Sequence, residues 1–468
     1  MLTYSFQNKG KDSLYEFLYK NIRDDILSGN LKPKEKLPSK RALADHLNIS
    51  TITVENAYNQ LVAEGYIYSK PKSGYYVSAI DSLKIQGGKE KNACFGKTGE
   101  ANDKNYTADF ANNSTSQERF PFVTWTKLMR QIMSEKREQL TLNSPSIGVR
   151  ELRNAISDYL FQFRGMSADP ECIIIGAGTE YLYSLIIQLL GRDKRYALED
   201  PGYRKISQIY RANNVSFDYV PLDEQGINTK SLKESSAQVL HISPSHHFPT
   251  GIVTPISRRY ELLSWAGERE DRYIIEDDYD SEFRFSGKPI PSLQSIDNFD
   301  KVIYINTFSK SLASTIRISY MVLPEALMKR YKKELSFYSC TVSNFEQYTL
   351  AAFIEQGYFE KHINRMRNYY RTLRDQVMTS IKNHKLYSKV SIKEDDSGLH
   401  FLMSADTSFT DEELMLRAEN KGVNLSCLSS YYHKKEEAPR HTFIINYSGL
   451  SGGNVESAVE ELFQIIAE

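Results

Sequence analysis

The sequence predicts a multidomain chain: a small helical head closed by a β-hairpin, then a long α/β body. Three observations carry that prediction. At 468 residues the chain exceeds one typical domain, so two or three are expected. The first 78 residues hold three short amphipathic helical patterns followed by two tyrosine-rich strand patterns. From about Asp109 onward, strand-like apolar runs alternate with helical ones, which implies a mostly parallel sheet with helices on both faces. The predicted limits are 1–78 for the head, 79–106 for a linker and 107–468 for the body.

Composition narrows the function classes. Lys plus Arg (59) equals Asp plus Glu (59), so the whole-chain charge names no partner. Residues 1–80 hold eleven Lys/Arg against eight Asp/Glu, a basic bias compatible with nucleic acid. Cys94, Cys172, Cys340 and Cys427 lie far apart with no C-x-x-C, which argues against a zinc site or a disulfide framework. The N-terminus has no apolar signal core, and no apolar run reaches the roughly 18 residues of a membrane span. A soluble cytoplasmic protein without a membrane partner is expected.

In the head, Leu14, Phe17, Leu18, Ile22 and Ile26 recur at helical spacing, with Ser13 as N-cap and Gly29 as stop. Ser39 opens a second helix that turns Leu43, Ala44 and Leu47 inward. A third runs from about Thr51 to Glu64 with the stripe Val54, Ala57, Tyr58, Leu61, and Gly65 ends it. Tyr66-Ile67-Tyr68 and Tyr75-Tyr76-Val77 form the hairpin. This order suggests a winged helix-turn-helix. Thr51, Thr53, Glu55, Asn56 and Asn59 lie outside the third helix's stripe and could reach base edges or phosphates, while Arg41, Lys70 and Lys72 could hold the backbone of double-stranded DNA. The bland reading is a packing module with a solvated face.

The spacing Pro38-Ser39-x-Arg41-x-Leu43-Ala44-x-x-Leu47-x-Ile49-Ser50, continued through Thr53-Val54-x-x-Ala57-Tyr58-x-x-Leu61-x-x-Glu64-Gly65-Tyr66 to Gly74-Tyr75-Tyr76-Val77, resembles the GntR-type winged helix. One departure matters. That family usually has arginine right after the serine that opens the recognition helix, and this chain has Thr51. Residues 79–106 then lose periodicity, become polar and glycine-containing, and read as a flexible tether.

In the body, Gly148 to Ile156 opens a helix. Cys172-Ile173-Ile174-Ile175 is a buried strand, followed by Gly176-Ala177-Gly178-Thr179 and a helix from Glu180 to Leu190. A glycine turn at a helix N-terminus can cradle a phosphate, although most such turns are only turns. Further strands are predicted at 195–198, 239–242, 272–275 and 301–305, and a long helix at Tyr358 to Asn383. The stretch Thr307 to Arg317 follows a strand and supplies hydroxyls, Lys310 and, seven residues on, Arg317. Pyridoxal phosphate (PLP) needs such groups: an amine for its aldehyde, and donors plus a cation for its phosphate. Ile274-Ile275 runs into Glu276-Asp277-Asp278-Tyr279-Asp280, where a carboxylate could pair with the pyridinium nitrogen. Asp277 and Tyr279 share one face if the strand extends that far. Tyr203 could stack on the ring; alone, it reads as a rim tyrosine among 31. His246-His247 has no third candidate nearby in sequence, so a metal site is not expected.

The glycine turn, Pro249-Thr250-Gly251, Asp277-x-Tyr279 and Ser309-Lys310 to Arg317 resemble fold-type I PLP enzymes of the aminotransferase class. The resemblance implies a Schiff base at Lys310 and a pyridinium partner at Asp277. It places Tyr279 at the cofactor's phenolic oxygen, Tyr203 on the ring, and Gly178, Thr179, Thr307, Ser309 and Arg317 around the phosphate. A GntR-type head on such a body resembles the MocR subfamily of bacterial transcription regulators. Pro244-Ser245-His246-x-Phe248-Pro249-x-Gly251, Glu276 to Phe283 and Thr307 to Leu312 strengthen that resemblance. It implies a homodimer with heads over the partner's body.

Two departures separate the chain from working aminotransferases. Phe248 stands where they usually carry asparagine. Ile444 falls where they carry a carboxylate-clamping arginine, and no arginine lies between His441 and Glu468. Arg204, Lys205 or Arg440 could substitute. GABA, the ligand of one branch, is thereby disfavoured. PLP itself becomes a plausible effector, as in the branch that regulates vitamin B6 synthesis, with a small amine on the cofactor as the other route. Two alternatives stay open: a true aminotransferase with a vestigial head, and a DNA-binding protein whose body is only a dimerisation scaffold.

Overall fold

The head forms because three serines each close a helix N-terminus. In the computed structural model, which describes residues 2–4, 6, 12–79, 106–111, 119–285, 290–393 and 398–467, α1 (Leu14–Leu27) begins at a capping box between Ser13 and Glu16. Residues 80–105 of the predicted linker lie outside the described residues. Ser39 caps α2 (Lys40–Leu47) and Ser50 caps α3 (Thr51–Ala63). Asn48 turns the chain between them in the left-handed region, at φ 52°. β1 (Ile67–Lys70) and β2 (Gly74–Val77) pair antiparallel. Leu18, Ile22, Leu43, Val54, Ala57, Tyr58 and Leu61 are fully buried between the helices, and the Tyr58 hydroxyl donates to the Pro38 carbonyl at 3.0 Å. Every predicted head element is present.

The chain divides into two compact units, residues 1–103 and 104–468. The second contains, in order, β3 (Ala108–Asp109), α4 (Phe122–Glu135), α5 (Arg137–Thr141), α6 (Arg150–Arg164), β4 (Ile173–Gly176), α7 (Thr179–Leu190), β5 (Arg195–Asp200) and α8 (Arg204–Ala212). Next come β6 (Ser216–Asp223), β7 (Gly226–Ile227), α9 (Thr229–Glu234), β8 (Val239–Ile242), α10 (Ile256–Gly267), β9 (Tyr273–Asp277), β10 (Val302–Thr307), β11 (Ser319–Val322) and α11 (Glu325–Glu334). The unit closes with α12 (Asn344–Glu355), α13 (Tyr358–Asn383), β12 (Val390–Lys393), β13 (His400–Ala405), α14 (Asp411–Asn420), β14 (Val423–Asn424), β15 (Ser426–Cys427), β16 (Thr442–Asn446) and α15 (Val455–Ile466).

Eight strands form the main sheet in the order β4-β11-β10-β9-β8-β5-β6-β7. The run β10, β9, β8, β5, β6 is parallel, whereas β11 and β7 run against their neighbours. Both faces are covered. Ile173 and Ile175 of β4 pack with Leu152 of α6 and Phe353 of α12, and the intervening Ile174 packs with Leu182 and Ile186 of α7, as the period of two requires. The smaller antiparallel sheet, β12-β13-β16-β15, shares a core with α13 and α15 through Phe401, Phe443, Tyr370 and Leu462.

Sequence reading overlooked β6, β7 and β11. β6 carries Pro221 and is mostly half-exposed, and β11 is four residues long and opens on a buried serine. Neither presents a clean apolar run. β9 stops at Asp277, so Tyr279 does not share its strand face; it follows in a bend.

One buried ion pair pins the segment after β9. Arg164, at the end of α6, meets Asp278 at 2.8 Å, with both side chains almost inaccessible. The Tyr304 hydroxyl donates to the same carboxylate at 2.6 Å, and Arg164 donates to the Ser245 hydroxyl at 3.0 Å. Removing one partner strands the other's charge. Asp278→Ala is expected to destabilise the protein by about 3–5 kcal/mol, read as a lower Tm than that of the wild-type chain.

Candidate functional site

Parallel strands deliver their C-terminal ends to one edge of the sheet, and ligands of open α/β sheets bind there. Gly176, Asp200, Asp277 and Thr307 are the last residues of β4, β5, β9 and β10. The loops that follow line a cavity of about 650 Å³. All nine of the predicted cofactor residues line it: Gly178, Thr179, Tyr203, Asp277, Tyr279, Thr307, Ser309, Lys310 and Arg317.

Asp277 is buried at the end of β9. Tyr183 of α7 donates its hydroxyl to Oδ2 at 2.5 Å, and His241 Nε2 lies 3.8 Å from the same oxygen. His241 Nδ1 is in turn 2.9 Å from the Tyr210 hydroxyl. Burial, then the neighbouring Asp277 charge, drives the Tyr183 phenol well above its usual pKa and keeps it a donor. Oδ1 of Asp277 is buried and has no hydrogen-bond partner. A buried carboxylate oxygen left open is costly unless a ligand donates to it, and a protonated pyridine nitrogen is such a donor.

The phosphate end shows the same economy. Gly178 precedes α7 at φ +93°, and a Cβ there would meet Arg317 Nη2 at 2.4 Å. Glycine therefore lets the guanidinium lie against the α7 N-terminus, beside its unpaired N–H groups. Arg317 pairs with Glu180 at 2.6 Å, and Lys205 pairs with the same carboxylate. The Thr307 hydroxyl accepts from Ser319 at 2.8 Å, and the Ser309 hydroxyl donates to the Ile316 carbonyl at 2.9 Å. Carboxylate partner, anion cradle and amine together fit PLP.

Lys310 is largely buried, and burial pulls its amine down to about 8, opposed by the Asp280 charge. Tyr279 lies 3.3 Å from His246 Nδ1, which is 2.8 Å from Asp280. Phe248 makes edge-on contacts with Tyr203, His400 and Tyr431, at ring separations of 5.9, 5.2 and 5.2 Å. Beyond these rings the cavity reaches Arg204 and Arg211 of α8, Tyr219, Tyr432 and His433. Of the three candidate substitutes for the missing clamp, Arg204 lines the cavity, Lys205 is tied to Glu180, and Arg440 is exposed outside the lining. Ile444 is buried in β16 with Leu402 and Leu428.

Sequence reasoning overlooked Tyr183, His241, Glu180, Glu199, Ser314 and the α8 wall. His241 had a signal: it is the one polar residue in the strand Val239–Ile242. Among the described residues no cluster could hold a metal ion. In the head, Arg41, Thr51, Asn56, Lys70 and Lys72 are exposed. Thr53 is half-buried, its hydroxyl 2.8 Å from that of Ser50. Lys70 lies over the Tyr76 ring, 4.8 Å from its centre.

Fold and site thus define a PLP-binding body of the aminotransferase type carried with a helix-turn-helix head. Residues 109–462 match the aminotransferase class I and II family, and residues 14–77 match the bacterial regulatory proteins of the gntR family. The chain is 38% identical to the HTH-type transcriptional regulator YdeL of Bacillus subtilis, over 98% of each chain. It is 30% identical to the probable rhizopine catabolism regulatory protein MocR of Rhizobium meliloti, over 96% of this chain and 93% of that one. It is 28% identical to the pyridoxine biosynthesis transcriptional regulator PdxR of Corynebacterium glutamicum, over 89% and 88%. The Pyrococcus horikoshii kynurenine aminotransferase shares the body's fold at a TM-score of 0.67 and 23% identity, covering 77% of this chain and 91% of that one. The chain belongs to the MocR subfamily of gntR-type regulators: it is a PLP-binding, DNA-binding transcription regulator.

Burial of Lys310 has a measurable cost. Its folded pKa lies below that of the unfolded chain, so the unfolded state binds more protons between about pH 8 and pH 10. The penalty is full below pH 8 and fades as pH rises through that window. Lys310→Met is expected to stabilise the cofactor-free protein at pH 7 by on the order of 2–3 kcal/mol, read as a higher Tm. The gain should shrink towards pH 10 in thermal scans of both proteins.

Proposed function

We propose that PLP held at Lys310 is the signal that controls operator binding, and that a small amine acting on the bound cofactor is the second route to the same switch. The observation that carries this reading is the buried Asp277 carboxylate, with one oxygen fixed by Tyr183 and the other open to the cavity that Lys310 enters. When bound, PLP supplies an aldehyde that condenses with primary amines and a ring that withdraws electrons. Asp277 would hold the ring nitrogen, Tyr279 the phenolic oxygen, and Tyr203 one ring face. Gly178, Thr179, Thr307, Ser309 and Arg317 would hold the phosphate, with Glu180 giving up its Arg317 contact to it. Burial lowers the pKa of Lys310 and so favours the neutral amine that carbonyl attack requires.

Phe248 and Ile444 favour regulation over turnover. Neither side chain can hydrogen-bond, so position 248 offers the phenolic oxygen no amide and position 444 offers a ligand carboxylate no clamp. Arg204 and Arg211, on the far wall, are the cations left for an acidic effector. The resemblance to PdxR supports PLP as effector and vitamin B6 synthesis genes as targets. The body leaves Phe122, Val123, Phe161 and Phe337 largely exposed, apolar surface suited to a second copy, so a homodimer with paired heads on two half-sites is part of the reading. Among the described residues no helix is long and apolar enough to cross a membrane.

Two experiments test this. Purified chain mixed with PLP should show a visible absorbance band absent from Lys310→Ala, and PLP should change the wild-type chain's operator affinity while leaving that of the variant unchanged. A band without any change in DNA affinity, accompanied by steady turnover of an amino donor, would overturn the regulatory role of the site. Gly178→Ala should weaken PLP binding about tenfold or more, because the new methyl displaces Arg317 and strains the backbone; spectroscopic titration measures it.

A further inference from the structure

The α3 helix contains no lysine or arginine: Thr-Ile-Thr-Val-Glu-Asn-Ala-Tyr-Asn-Gln-Leu-Val-Ala. Its buried stripe is Val54, Ala57, Tyr58 and Leu61. At 3.6 residues per turn, the face directly opposite carries Ile52, Asn56 and Asn59, spaced i, i+4, i+7. Both asparagines are exposed, and Ile52 is 68% exposed. Among the described residues of the head none covers this isoleucine, although the rest of the helix's apolar residues up to Leu61 are buried. The one acid near this face, Glu55, is engaged by Lys40 of α2 at 2.5 Å.

The major groove offers these side chains a restricted menu. Guanine is read by the forked or charged donors of Arg or Lys, cytosine by a carboxylate acceptor. Here the helix has no cation, and its only carboxylate is paired. An asparagine amide matches the N6/N7 edge of adenine, and an apolar side chain matches the thymine methyl. The cations of the head lie off this helix: Arg41 on α2, Lys70 and Lys72 at the wing, and Lys32, Lys34 and Lys36 on the segment that pairs with β2. They suit phosphates, which position the protein without reading sequence.

We infer that the head reads A·T pairs, with Ile52 packed on a thymine methyl and Asn56 on an adenine edge in each half-site. This rests on the reading of the head as a DNA-binding domain and adds the class of base pair it selects. Ile52 is then a specificity-determining residue.

The test separates the two levels. The full-length chain, with and without PLP, is used to select binders from a pool of random duplexes. In the winning duplex each thymine is replaced in turn by uracil, which lacks only the methyl. The expected result is an A·T core in each half-site and a loss of about fourfold in affinity at one uracil position, the worth of one buried methyl. Ile52→Ala, whose folding is not at risk at so exposed a site, should bind thymine and uracil duplexes equally. Asn56→Ala should lose about tenfold of its preference for adenine at one position. A G·C core, equal binding of thymine and uracil by the wild-type chain, or discrimination that persists in Ile52→Ala overturns the inference and leaves DNA binding intact. Failure to enrich any duplex overturns the DNA-binding reading, and the inference with it.

Discussion

The body depends on one carboxylate that the fold has buried and left half satisfied. Asp277 sits where a central parallel strand ends, so the sheet carries it out of solvent. Tyr183 from α7 fixes one oxygen and the His241–Tyr210 pair stands behind it. Each comes from a different element, so the carboxylate keeps its position only while α7, β8 and α8 are packed on the sheet. The open oxygen is an unfavourable group in the folded chain and a favourable one once a cation-bearing ring meets it. The same logic governs Lys310, whose amine is destabilised as an ammonium by burial. Ligand affinity is stored in the fold at the open oxygen of Asp277 and in the burial of the Lys310 amine.

A second theme is neutrality at the rim. Burial raises the Glu199 carboxyl to about 8 and lowers His247 to about 3, with the latter helped by the His246 charge. His247 Nε2 lies 3.5 Å from Glu199 Oε2, and burial disfavours the charged form of both groups. His400 is likewise driven down by burial and by His246, and its ring contacts Phe248. Burial thus disfavours the charged forms of Glu199, His247 and His400.

Much of this was legible in the residues. The three serine-capped helices and the hairpin of the head follow local rules, because caps and stripes are set within a few neighbours. So do the strand–glycine–helix unit at 173–190 and the helix at 358–383. The nine residues that the motif set from Gly178 to Arg317 marked all line the cavity. What stayed hidden shares one property: its meaning comes from a neighbour far away in sequence. β11 reads as nothing in particular until it is seen inserted between β4 and β10. Tyr183 looks like one more apolar position on α7 until Asp277, 94 residues on, meets its hydroxyl. Arg204 and Lys205 are adjacent and chemically alike, and only the turn of α8 sends one to the cavity and leaves the other on Glu180.

The sequence by itself therefore determined the classes: a DNA-reading head, a PLP-binding body, the lysine, the acid and the arginine, and the lack of a C-terminal clamp. These are properties of residue type and short-range spacing, which survive without coordinates. The tertiary structure alone decided which oxygen of Asp277 is open and which cation faces the cavity. Those are matters of direction and burial, and direction is set only when strands and helices pack against partners that the linear order does not name.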